Sequence, residues 1–189
     1  MTLKNRCGWC TSDPEYITYH DTEWGVPIKD DQAFFEMLVL ESFQAGLSWI
    51  TILKKRTNFK SAFDQFNYNK IAKYDQSKVE ELMQNKGIVR NRLKIKATIK
   101  NAKAFLAIQE EHGSFSDFIW SFVDHKPKVN RHKTLNDIPA QTAVSKAMAK
   151  ALKKNGFSFM GPITCYAFMQ ANGLVNDHLT ECFKHPDNL

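Results

Sequence analysis

The chain has 189 residues, 43% hydrophobic and 12% aromatic, a composition that suits one folded domain with a substantial core and excludes a disordered or low-complexity protein. With 26 lysines and arginines against 20 acidic residues the formal net charge is +6, which favours a polyanionic partner. Four cysteines are too few for a disulfide scaffold, no apolar run follows the first residues as a secretory signal would, and charges interrupt every stretch before it nears the roughly 20 apolar residues of a bilayer span, so a cytoplasmic protein with reduced thiols and no membrane role is expected.

Along the chain, R-C-G-W-C-T at residues 6–11 spaces Cys7 and Cys10 for either a redox dithiol or half of a metal site. The redox use needs a strand-to-helix setting within a βαβ pattern, which nothing downstream supplies. Tyr16 and Tyr19 are three apart and share a face if their segment is helical. Over residues 30–45, Phe34, Met37, Leu38 and Ala45 recur at helical spacing, with Asp30 and Asp31 placed to cap the start. Glu41 follows Leu38 by three residues and so lies on the apolar face, where a buried carboxylate needs a partner.

Helical spacing recurs over 50–63, 77–83, 92–108, 115–122, 144–154 and 163–171. Strand-like alternation is scarce, so the fold class is all-α: a single domain over 1–189, with room for two helical lobes and a pocket between them. Phe34, Phe63 and Trp120 read as core. The string N-K-G-I-V-R-N-R-L-K-I-K puts Gly87 in a tight turn between two helices, where backbone amides and the next helix N-terminus suit a phosphate. Arg90, Arg92, Lys94 and Lys96 surround it. Residues 124–139 form the one long irregular segment, and Lys146, Lys150, Lys153 and Lys154 read as a solvated helix face.

Near the C-terminus, N-D-H-L-T-E-C sets His178 and Cys182 four apart, on one face if helical, which makes half of a zinc site. The other half is available from Cys7, Cys10 and His20, and spacing alone does not choose between the two thiols. A Cys2His2 site would staple the chain ends together. Buried but unligated thiols and imidazoles are the plain alternative.

Several strings carry a resemblance: R-C-G-W; D-P-E-Y-I-T-Y-H-D-T-E-W-G-V-P; L-E-S-F-Q-A-G-L-S-W-I-T-I-L-K-K-R; G-I-V-R-N-R-L-K-I; F-I-W-S-F-V; and L-K-K-N-G-F-S-F-M-G-P-I-T-C-Y-A-F-M-Q-A-N-G-L-V-N-D-H. Together they span nearly the whole chain, and the sequence resembles the bacterial 3-methyladenine DNA glycosylase I family of the helix-hairpin-helix superfamily. The resemblance implies one structural zinc on Cys7, His20, His178 and Cys182, leaving Cys10 out. It implies base binding by Tyr16, Tyr19 and Trp49 and base reading by Glu41, and Trp9, close by in sequence, is a further wall. The implied reaction is hydrolysis of the N-glycosidic bond of 3-methyladenine in alkylated double-stranded DNA, freeing the base and leaving an abasic site without a lyase step. Residues 88–116 contain no aspartate to assist bond cleavage, which fits a substrate that is already a cationic, labile base. Gly87, Arg90 and Lys94 are then the DNA contacts, Leu47 the wedge into the gap left by the base, and the enzyme a monomer. A zinc-stabilised DNA-binding module without catalysis is the rival from another class.

Overall fold

The computed structural model describes residues 4–189, which form ten α-helices and one pair of two-residue strands. Helix α1 (Pro14–Thr22) begins where the Asp13 side chain accepts the amides of Glu15 and Tyr16 and Pro14 occupies the first turn. Helix α2 (Asp31–Gln44) buries Phe34, Phe35, Leu38, Val39, Leu40 and Phe43 completely, so apolar side chains surround its axis instead of lining one stripe. Asp30 caps α2 through the amide of Ala33 at 2.8 Å. Asp31 does not share that task; its carboxylate accepts the amides of Phe115 and Ser116 at 3.0 and 2.8 Å and so caps a distant helix.

The segment expected as one helix over 50–63 is broken into α3 (Trp49–Leu53) and α4 (Arg56–Ala62). No glycine or proline stands at Lys54 and Lys55, which is why the apolar spacing runs through the break. After α5 (Tyr68–Ile71) and α6 (Gln76–Gln84), the 85–91 loop leads into the 21-residue α7 (Arg92–His112). Then come α8 (Phe115–Trp120), α9 (Ala143–Lys154) and α10 (Pro162–Ala171). Helix α2 packs against α3, α7, α8 and α10, and α9 packs on α10. Phe105 of α7 stacks on Phe115 at 4.1 Å and meets Phe35 edge-on at 5.2 Å, tying three helices through their rings. Phe63 and Trp120 are buried with them.

Strands β1 (Lys128–Val129) and β2 (Val175–Asn176) pair in parallel, Lys128 opposite Val175, and fix the irregular segment against the chain after α10. Just before β2, Gly173 has φ +67°, and a Cβ there would fall 2.2 Å from the Pro27 nitrogen. That close approach lets Ile28 N reach Asn172 O at 3.2 Å and Gly25 N reach Gln170 O at 2.9 Å. Phe183 N donates to Asn5 O at 2.9 Å, so the two chain ends lie together. No described helix is long and apolar enough to cross a membrane.

Candidate active site and metal cluster

A cleft of about 370 Å³ opens between α1, α2, α3 and α10, lined by Trp9, Tyr16, Tyr19, Trp24, Glu41, Gln44, Trp49, Leu135, Ile138, Ala167 and Gln170. The helical offset of three brings Tyr16 and Tyr19 of α1 to the same side. Trp9, on a 3₁₀ turn (Gly8–Cys10), lies 5.0 Å from the Tyr16 ring and 4.9 Å from that of Trp24, and Tyr19 lies 5.4 Å from Trp49. The expected aromatic quartet and Glu41 therefore meet in one place.

Three of its polar side chains lack protein partners among the described residues. Glu41 is 4% exposed and accepts no hydrogen bond among the described residues, and burial pushes its carboxyl up to about 8. The indole N–H groups of Trp9 and Trp49 are buried without an acceptor. Burial, and then the nearby Glu41, push the Tyr19 phenol well above its usual range. A cavity with flat aromatic walls, orphaned donors and one buried acid can receive a planar polar ligand.

Behind the cleft, Cys7, His20, His178 and Cys182 are all buried, with their ligand atoms within 4.8 Å of one another. Cys7 Sγ is 3.6 Å from His178 Nδ1, and Cys182 Sγ is 3.5 Å from both His178 Nδ1 and His20 Nε2. The edge of a tetrahedron built from metal–sulfur and metal–nitrogen bonds is about 3.6 Å. The remaining ring nitrogens are taken, His20 Nδ1 by Asp21 at 2.8 Å and His178 Nε2 by the Trp24 carbonyl at 3.0 Å, which fixes the nitrogens turned to the centre. Arg6, and then His20, hold the Asp21 carboxyl down at about 2. Leu179 N and Lys184 N each donate to a sulfur at 3.4 Å. Contact with Cys182, and then burial, push the Cys7 thiol up, since two buried thiolates cannot stand side by side without a cation. These four residues can hold a metal ion.

His178 and Cys182 reach the centre without a helix: the segment turns, with Cys182 N donating to Leu179 O at 2.8 Å. Cys10 is buried but outside the cluster. The imidazoles also back the cleft, Trp9 lying 5.3 Å from His20 and Trp24 4.7 Å from His178.

A sequence profile described as methyladenine glycosylase matches residues 9–185. The chain belongs to the methyladenine glycosylase family. It is 53% identical to DNA-3-methyladenine glycosylase 1 of Escherichia coli (strain K12) over 97% of its length and 98% of that protein. A crystal structure of 3-methyladenine DNA glycosylase I superposes with a TM-score of 0.94 at 55% identity, covering 96% of this chain and all of that one. The enzyme of that name from Staphylococcus aureus, solved as the structural basis of 3-methyladenine recognition, superposes at 0.93 with 40% identity over 97% of each chain.

Around the α6–α7 loop this glycosylase departs from expectation. Gly87 N is already taken by Asn85 Oδ1 at 2.8 Å, and the residue's lack of a side chain serves packing, because a Cβ would meet Asn58 at 3.1 Å. Its amide is therefore hydrogen-bonded within the protein. Lys94 is likewise engaged: it is 7% exposed, and its ammonium donates to the carbonyls of Phe43 and Ala45 at 2.9 and 2.8 Å, capping the C-terminus of α2. Burial lowers its proton affinity. Arg92 is engaged with Glu80, while Arg90 and Lys96 are exposed and make no ion pair among the described residues. Leu47, 38% exposed, is presented on a loop braced by Gln44 Nε2 to Leu47 O at 2.8 Å.

Sequence reading missed Trp24, Leu135, Ile138, Ala167 and Gln170 as cleft residues. Trp24 could have been found from its place four residues after His20, within an aromatic-rich stretch. Leu135 and Ile138 come from the irregular segment, where no periodicity signals which way a side chain faces.

Proposed function

We propose that this glycosylase flips 3-methyladenine out of alkylated duplex DNA, hydrolyses its N-glycosidic bond and leaves an abasic site, with no strand cleavage of its own. The observation that carries the reading is Glu41, a buried acid without a protein partner on the floor of an aromatic cleft. Tyr16, Tyr19, Trp9 and Trp49 supply the faces on which a flipped base stacks, and the carboxylate accepts from the exocyclic amine. A methyl group on N3 makes the bound adenine cationic. Its charge favours ionised Glu41, and an acid that costs energy to ionise in the empty cleft is stabilised when the cation arrives, which concentrates binding on the charged base. The cationic purine is already a good leaving group, so the chain's task is to extrude, hold and orient it while water attacks the sugar. A lyase step needs an amine nucleophile to form a Schiff base, and the cleft is lined by no lysine among the described residues.

The buried cluster fits zinc. Two thiolates and two neutral imidazoles balance a divalent charge, and four protein ligands leave no position for substrate, so a bound zinc would supply structural cohesion between the chain ends. The DNA contacts we assign are Arg90 and the exposed N-terminal end of α7, with Leu47 as the wedge. The enzyme acts as a monomer.

The test is single-turnover reaction with an end-labelled, methylated duplex, run on a gel with and without hot alkali. Breaks at adenines that need alkali are expected. Breaks without alkali would overturn the monofunctional assignment.

A further inference from the structure

Asp177 follows β2 and is fully buried, and three donors converge on its carboxylate: Asn130 Nδ2 at 2.6 Å on one oxygen, Tyr166 Oη at 2.6 Å and Gln170 Nε2 at 2.8 Å on the other. His132 Nε2 lies 3.4 Å from the first oxygen. A carboxylate meeting three donors only accepts, so the side-chain amide of Gln170 is oriented by it: the NH2 group faces Asp177, and the carbonyl Oε1 faces the other way. No described residue donates to that Oε1. Gln170 sits one turn after Tyr166 on α10 and lines the aromatic cleft. Its backbone carbonyl also receives the amide of Gly25, next to the wall residue Trp24. Gln170 therefore lines the cleft on the α10 side with its amide fixed by Asp177, while Glu41 approaches from α2.

We propose that Gln170 is a second reader of the base, its Oε1 accepting from the exocyclic amine of adenine, and that Asp177 is the positioning residue that prevents the Gln170 amide from turning over. The proposal rests on the cleft being the base pocket. An exocyclic amine carries two N–H bonds, one for Glu41 and one for Gln170. A guanine offers a carbonyl oxygen at that position. Glu41, whose burial favours the protonated form, can meet the carbonyl as an acid and the amine as a carboxylate, so it separates the two purines weakly. An unrestrained glutamine would do the same by rotating its amide. A glutamine held by Asp177 cannot exchange its Oε1 for its amide nitrogen without losing the 2.8 Å bond, so the Oε1 acceptor keeps its place and repels the guanine oxygen, and this makes the buried Asp177 network the source of adenine selectivity.

The test compares wild type, Gln170→Leu and Asp177→Asn on one preparation of methylated duplex DNA, measuring single-turnover release of 3-methyladenine and 3-methylguanine from the same reaction. Both bases come from the same folded molecules, so their ratio is independent of how much of a variant folds. Gln170→Leu is expected to release 3-methyladenine about three- to tenfold more slowly, the effect of one lost hydrogen bond, while 3-methylguanine release does not fall. Asp177→Asn introduces an amide able to donate to Oε1, turns the Gln170 group over and moves the ratio in the same direction. An unchanged ratio in Gln170→Leu overturns the proposal, and a shift in Gln170→Leu without one in Asp177→Asn overturns the role of Asp177. Failure of the wild type to release 3-methyladenine overturns the base-pocket reading instead.

Discussion

Replacing Glu41 by Gln keeps the shape of the side chain and removes its ability to ionise, so stability and activity should move in opposite directions. The carboxyl is raised from its ordinary 4.5 to about 8 by burial. A group raised in the folded state contributes its full stability below the unfolded value and loses it as pH rises through the folded value. Wild type is therefore expected to lose about 3 kcal/mol relative to Glu41→Gln between pH 5 and pH 8. For a chain of this size that corresponds to a gap in melting temperature that widens by roughly 6–12 °C over the same range. Single-turnover release of 3-methyladenine should meanwhile fall roughly ten- to hundredfold, since a hydrogen bond to a charged group contributes about 1.5–3 kcal/mol. Thermal melts at several pH values and excision assays on the same preparations check both. A melting difference that stays constant from pH 5 to 8, or a destabilised variant with full activity, would refute the assignment of Glu41 as an unpartnered acid waiting for a base.

Metal analysis of purified protein should find one zinc per chain, retained in Cys10→Ser and lost with much of the stability in Cys7→Ser and His178→Ala; zinc-free, fully folded wild type would contradict this. Arg90→Glu should weaken binding to undamaged duplex and flatten its salt dependence by about one phosphate contact, whereas Lys94→Met should leave the salt slope unchanged and lower stability by about 2 kcal/mol through the two lost caps on α2, both read from binding isotherms and denaturant melts. Gly173→Ala should destabilise the fold by more than about 2 kcal/mol, because the new Cβ has both a strained φ and the Pro27 backbone against it; an unaltered denaturation midpoint would refute the close approach.

Helices α6 and α9 were legible in the sequence because their burial is one-sided, and α2, buried all round, was legible from its run of apolar residues behind the Asp30 cap. The break at Lys54 and Lys55 was not, since no residue there disfavours a helix and the turn is imposed by packing. The cleft walls were legible through the family resemblance, which named Tyr16, Tyr19 and Trp49, and the offset of three on α1 set the two tyrosines together. The cleft was not legible where a side chain's role depends on a partner outside its own helix. Lys94 looks like one of four basic residues around a turn until the C-terminus of α2 arrives beside it with two free carbonyls. Gln170 looks like any polar residue on a helix until Asp177 and the α10 wall meet, and Asp31 looks like a cap for its own helix until α8 presents its amides. For Lys94 and Asp31 the deciding interaction spans tens of residues, and for Gln170 it runs from a helix to an irregular segment seven residues on, so no helical spacing records it.

The claim that the aromatic cleft with Glu41 is a pocket for a flipped, cationic adenine is tested most directly by incubating methylated duplex DNA with the wild-type protein and chromatographing the freed bases. Free 3-methyladenine accumulating in proportion to enzyme, with normal adenine absent, is the predicted result. Tight binding to the damaged duplex with no base released would contradict the account and leave a lesion-binding protein in place of an enzyme.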